Sequence, residues 1–179
     1  MERTGLALES NGRSTDAALI AAVRAGSSTA LATLYTRHGR MVYAVARRFL
    51  GETDAEDVMQ DVFVGLPEAL EGYRERGTFP AWLRRVAVRA SLMALRRRSR
   101  SAVLARNATG WPVATGRSTE DRLAAREAID RLPDSLRAVF VLREVEGYSH
   151  AEIAAQLGIT RTASMIRHHR AWTQLRRSV

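Results

Sequence analysis

The sequence has no cysteine and no lysine. The first absence excludes disulfides, thiolate nucleophiles and cysteine-ligated zinc, and it agrees with a reducing compartment. The second means that all 28 basic residues are arginine, so every cationic side chain but histidine is a planar guanidinium that stays charged and can grip phosphate or guanine as a fork. No run approaches the roughly 18 to 20 apolar residues that a membrane span needs. Between Met1 and Asn11 the only apolar patch is Leu6-Ala7-Leu8, set between Glu2 and Glu9; that is no signal peptide, and a cytoplasmic location is expected. Strand-like alternation is missing. So are a glycine-rich phosphate loop, a nucleophile elbow and a His-Glu-x-x-His pattern. His38, His150, His168 and His169 have no carboxylate partner in the sequence. Asp54, Asp57 and Asp61 fall on one helix face and could mimic a metal cluster, but no histidine joins them. No catalytic residue, metal site or cofactor is therefore expected.

What is present is enough apolar content, 46% of 179 residues, to bury a core. The net charge of +9 is unevenly distributed. From Glu52 to Glu75 there are eight acids and one arginine, whereas Arg76 to Thr119 holds ten arginines and no acid. The stretch from Ile153 onward has five arginines, two histidines and no acid. A polyanion would meet the two basic blocks, and the acidic block must face something else.

Periodic segments are helical in spacing, which predicts an all-α chain. Asp16 is expected to cap a short helix carrying Leu19, Ile20 and Val23 and stopped by Gly26, and a second helix begins near Ser28. Val42, Val45, Ala46 and Phe49 form the next apolar stripe. Thr53 and Glu56 read as a capping box, with Gly65 and Pro67 weakening the helix that follows. A helix from about Pro80 to Arg98 is expected to bury Trp82, Leu83, Val86, Ala90 and Met93. Residues 99–119 lose periodicity and gain Ser, Thr, Gly and Pro, which predicts a flexible linker. Fully extended, this stretch spans about 70 Å, so two modules so joined could touch one DNA at separate places. Helices resume over 120–132 and 134–146. Ser149 and Glu152 give a further capping box, and Thr160 caps a last helix running toward Arg176. The expected organisation is a disordered N-terminus at 1–15 and two small helical domains, 16–98 and 120–179, joined by the linker.

The last two helices around Gly158 make a helix-turn-helix pattern. Its second helix would present Arg161, Thr162 and Ser164, followed by Arg167, His168 and Arg170, to the major groove, where arginine pairs bidentately with guanine.

Four co-linear segments carry a resemblance: LYTRHGRMVYAVARRFLG at 34–51, TDAEDVMQDVFV at 53–64, FPAWLRRVAVRASLMALRRR at 79–98 and LPDSLRAVFVLREVEGYSHAEIAAQLGIT at 132–160. Together they resemble bacterial sigma factors of the extracytoplasmic-function group. The resemblance implies a subunit that binds core RNA polymerase, through the clamp helices of its largest subunit and its flap region, directs it to promoter DNA and opens the duplex. Asp54, Asp57, Gln60 and Asp61 would contact the clamp helices. Arg74, Arg76, Arg84, Arg85, Arg89, Arg96 and Arg97 would bind the element nearer the start site, with Arg98 beside them on duplex phosphate. Arg161, Thr162, Ser164, Arg167 and Arg170 would bind the upstream element. Phe79 and Trp82 could stack on bases but have the spacing of core residues. An inhibitory anti-sigma protein is a common partner in the family.

The chain departs from the family pattern at Arg89 and Met93. In the last helix, Ser164 and His168 hold usually apolar positions, while Met165 and Ile166 hold usually polar ones. That exchange suggests a rotated apolar stripe through Met165, Ile166, His169 and Trp172. The competing reading is a free-standing helix-turn-helix repressor or activator, which leaves the acidic helix and the arginine-rich central helix without a task.

Overall fold

The computed structural model describes residues 15–74, 77–104 and 126–177, the side chains of 99–104 excepted. Eight α-helices with named bounds and a short π turn form it, and the described residues contain no strand. Helix α1 (Asp16–Arg24) is capped by Thr15, not Asp16. Thr15 has the extended backbone a cap requires, and its side chain accepts the Ala18 N–H. The Asp16 carboxylate is used elsewhere, taking Arg37 at 2.7 Å and His38 Nε2 at 3.1 Å from α2 (Ser28–Phe49).

Helix α3 (Glu52–Val64) starts at the Gly51 cap without a side-chain bond, so Thr53 lies already inside the first turn and the expected capping box does not form. The helix stops at Gly65, and α4 (Leu66–Glu71) restarts with Pro67 in its first turn. A proline there forfeits no helical hydrogen bond. The break also re-aims the chain so that Leu66 and Leu70 are completely buried, which accounts for a Gly-x-Pro pair that helical periodicity alone left unexplained.

Helix α5 (Phe79–Leu104) runs six residues into the expected linker, whose remainder, 105–119, lies outside the described residues, as does most of the N-terminus. Its buried seam is Phe79, Leu83, Ala87, Val88, Leu92 and Leu95. Trp82, Val86 and Ala90 are only partly buried beside it, and Met93 is exposed. Ser91 sits within the seam without penalty because its Oγ donates to the Ala87 carbonyl at 2.8 Å.

In the C-terminal half, residues 126–130 are helical and α6 (Asp134–Phe140) passes into the π turn Val141–Val145. Helix α7 (His150–Leu157) has the expected capping box, with Ser149 N–H donating to Glu152 at 2.8 Å. Gly158, at φ +66°, turns the chain into α8 (Arg161–Arg176), capped by Thr160. Ala138, Val139, Val141, Leu142 and Ile153 share one buried cluster with helices α1 to α5. A smaller cluster unites Ala128, Leu132, Phe140, Ala171 and Leu175. The two halves are thus packed on each other and do not have wholly separate cores.

Candidate nucleic-acid and partner interfaces

Burial of Ala55, Val58, Val62 and Phe63 turns the opposite side of α3 outward. Asp57, Gln60 and Asp61 lie on that exposed side. Val64 completes the stripe at 80% exposure. Its spacing of seven residues from Asp57 is visible in the sequence, but an aliphatic residue on a polar stripe carries no signal there that marks it as outward. Asp54, half-buried, takes Arg98 at 2.9 Å, and Asp61 lies 3.5 Å from Arg97. Arg97 thus neighbours the acidic stripe, while Arg98 bridges to Asp134 at 2.7 Å.

The approach to α5 is built on aromatics. Tyr73, Phe79 and Trp82 form a mutually contacting set with centroids 4.9 to 5.9 Å apart. Arg24 holds the preceding turn by donating to the carbonyls of Leu70 and Tyr73. Phe79 and Tyr73 are buried, so Phe79 serves the core, and Trp82 is half-buried over it. Arg74, Arg85 and Arg89 are exposed, Arg85 in a shallow groove with Arg84, Glu146 and Tyr148; Arg76 lies outside the described residues.

Arg84 is engaged differently. Its Nε and Nη2 donate to Glu146 at 2.6 and 3.1 Å, and Arg48 adds a third contact at 3.3 Å. The Glu146 side chain is only 2% exposed. The hydrogen bond to Glu146 raises the Arg84 pKa against the opposing effect of burial. Arg96 donates to the Gln156 carbonyl, and Arg47 pairs with Asp130 at 3.1 Å. Across the seam, therefore, arginines of the N-terminal half meet acids or carbonyls of the C-terminal half. Glu146 and Arg48 were missed in the sequence, where nothing marks a lone Glu as facing a cation 62 residues away.

Helix α8 departs from the expected recognition helix in two respects. Its inward face is Ser164, His168, Ala171 and Leu175, not a stripe through Met165, Ile166, His169 and Trp172. Ser164 is fully buried, with its Oγ 3.0 Å from His150 Nδ1, so it cannot reach a base edge. The polar residues at these inward positions are tolerated because they have partners: His168 Nε2 lies 2.9 Å from Glu144, and its ring stacks on Phe140. Arg161, Thr162, Met165, Ile166, His169 and Arg170 face outward. Arg167 lies half-buried in a groove at the seam with Leu92, Leu95, Arg96 and Leu157.

Residues 34–101 match the family Sigma-70 region 2, and residues 122–175 match Sigma-70, region 4. The chain is 33% identical to the ECF RNA polymerase sigma factor SigM of Mycobacterium tuberculosis, over 90% of this chain and 83% of that one. The chain belongs to the extracytoplasmic-function sigma factors. It is also 35% identical to SigE of Mycolicibacterium smegmatis, spanning 59% of that longer protein, and 31% identical to the sigma-E factor of Escherichia coli over 82% of its length. The Bartonella quintana sigma factor RpoE, solved with the anti-sigma factor NepR, shares the fold at a TM-score of 0.58 and 19% identity, covering 82% of this chain and 94% of that one. Membership makes this a sigma factor directing transcription initiation. The free-standing repressor or activator is set aside, since region 2 gives the acidic and arginine-rich helices their place. Among the described residues, no helix is long and apolar enough to cross a membrane, and no group of three or more potential ligands could hold a metal ion.

Proposed function

We propose that the outward stripe of α3, Asp57, Gln60 and Asp61 with Asp54 at its start, docks on the clamp helices of core RNA polymerase. Arg74, Arg76, Arg85 and Arg89 then take up the melted strand near the start site, and Arg161, Thr162 and Arg170 bind the upstream duplex. Arg84, Arg96 and Arg167 join the DNA surfaces once the seam between the halves opens. The observation that carries this reading is the segregation of charge: a carboxylate stripe on α3 and acid-free guanidinium faces on α5 and α8. A polyanion and a protein can then be held at once by different surfaces. Melted bases can stack beside the aromatic set, offsetting a few kcal/mol of unstacking per base.

On this reading the chain works in the cytoplasm, where the polymerase is, and contributes binding and not bond chemistry. The relative crystallised with an anti-sigma factor supports an inhibitory protein partner for this chain as well. The test is reconstitution of the purified chain with core polymerase from its own host on a genomic DNA library. The reading requires initiation at a defined set of promoters that core enzyme alone does not use; silence on every template would overturn it.

A further inference from the structure

We propose that Met165 and Ile166 determine part of the promoter preference by reading thymine methyl groups in the upstream duplex. The inference rests on the assignment of α8 as the recognition helix. The rotation of that helix is set by its inward face, where Ser164 meets His150 and His168 meets Glu144. With that face turned in, positions 161, 162, 165, 166, 169 and 170 look outward along the first two and a half turns, the part of such a helix that enters the major groove. Met165 and Ile166 are 50% and 48% exposed and belong to neither buried cluster. Trp172, also exposed, differs in being held edge-on by Phe140 at 5.5 Å.

Two large aliphatic side chains left in water are accounted for by a partner that covers them. The partner must also be anionic, because Arg161 and Arg170 flank the pair and the chain carries no acid from Ile153 onward. Duplex DNA meets both requirements through phosphate and the thymine 5-methyl group, the apolar feature of the major-groove edges. The pair would then favour thymine at one or two positions between the bases contacted by arginine.

The test uses the chain bound to core polymerase and a promoter duplex that this holoenzyme has selected from a random-sequence pool. The duplex is resynthesised with deoxyuridine at single thymidines, which removes only the methyl. Substitution within the upstream element should weaken capture about fourfold per contacted methyl, as burial of one such group predicts. Substitution outside the element should do nothing. Met165→Gln and Ile166→Gln should each lose the sensitivity to deoxyuridine at one position. Indifference of the unaltered holoenzyme to deoxyuridine would overturn the inference, and needs no variant to be seen. So would equal weakening of thymidine and deoxyuridine duplexes in the variants, which would mark the pair as a protein-facing patch. A holoenzyme that selects no duplex overturns the sigma reading and this inference together, whereas selection followed by indifference overturns this inference alone.

Discussion

His150, Ser164 and His168 meet at the junction between the two helices of the helix-turn-helix, with Glu144 reaching in from the π turn. Burial, and then the neighbouring Arg143, His168 and Arg161, hold the His150 imidazole below its ordinary pKa. A histidine whose folded pKa is depressed contributes stability that is complete above the unfolded value, about 6.5, and is lost as pH falls through the folded one. Thermal melting followed by circular dichroism should therefore show the chain losing stability on acidification below about pH 6.5, and His150→Asn should flatten that slope. An unchanged slope would remove His150 as its cause. Asp16 acts in a separate window. Burial pushes its carboxyl up, but Arg37 and His38 outweigh burial and hold it below the usual range, so its contribution disappears only as pH falls below about 4. On the outward face, Arg170→Ala should cost about 1 to 3 kcal/mol of promoter binding with a changed base preference if the fork reads guanine. A uniform loss with a shallower salt dependence would instead mark a phosphate contact.

Helix boundaries carry their own predictions, because each depends on one backbone conformation. Gly158 stands at φ +66° with open space around the position of a Cβ, so Gly158→Ala should cost about 1 kcal/mol, the price of a left-handed L-residue and not of a clash. Calorimetry of the variant checks it. A loss of several kcal/mol would mean that the turn itself had rearranged. Helix α3 tests the docking face. Asp61 is exposed and its 3.5 Å approach to Arg97 is a surface contact, which contributes little stability. Asp61→Arg should accordingly keep the helix content and melting temperature near those of the parent while reducing polymerase association. Equal association would reject α3 as the docking element. At this scale the sequence was a good guide to helical class and a weaker one to helix ends. Ser149 and Glu152 formed their capping box, whereas the similar Thr53 and Glu56 did not, because the neighbouring Gly51 starts α3 two residues earlier.

Taken as a whole, the molecule neutralises part of its own guanidinium charge. Glu146 is enclosed between Arg84 and Arg48, while Asp130 and Asp134 take Arg47 and Arg98. If Arg84 binds the start-site element as proposed, Glu146 competes with phosphate for its Nε and Nη2, and loosening of the seam frees the whole fork. Replacing Glu146 by Gln strands no buried cation, since Arg84 and Arg48 are 40% and 41% exposed. Glu146→Gln should lengthen the distance between fluorophores placed on α3 and α8, and should strengthen binding of the isolated chain to DNA. Labels can be attached through introduced cysteines without interference, as the chain has none. An unchanged distance and affinity would show that Glu146 does not hold the halves together.

The all-helical class, the two functional halves and the family were legible in the order of residues, because amphipathic spacing, caps and charge blocks are local properties that a linear reading captures. The rotation of α8 was not. An exchange of polar and apolar residues at Ser164, Met165, Ile166 and His168 reads as a turned stripe until His150 and Glu144, brought in by α7 and the π turn, are seen to satisfy the inward polar groups. Nor could the chain's linear order pair Arg84 with Glu146: the energy of an ion pair depends on separation in space, and only packing of the C-terminal half against α2 and α5 brings those charges together.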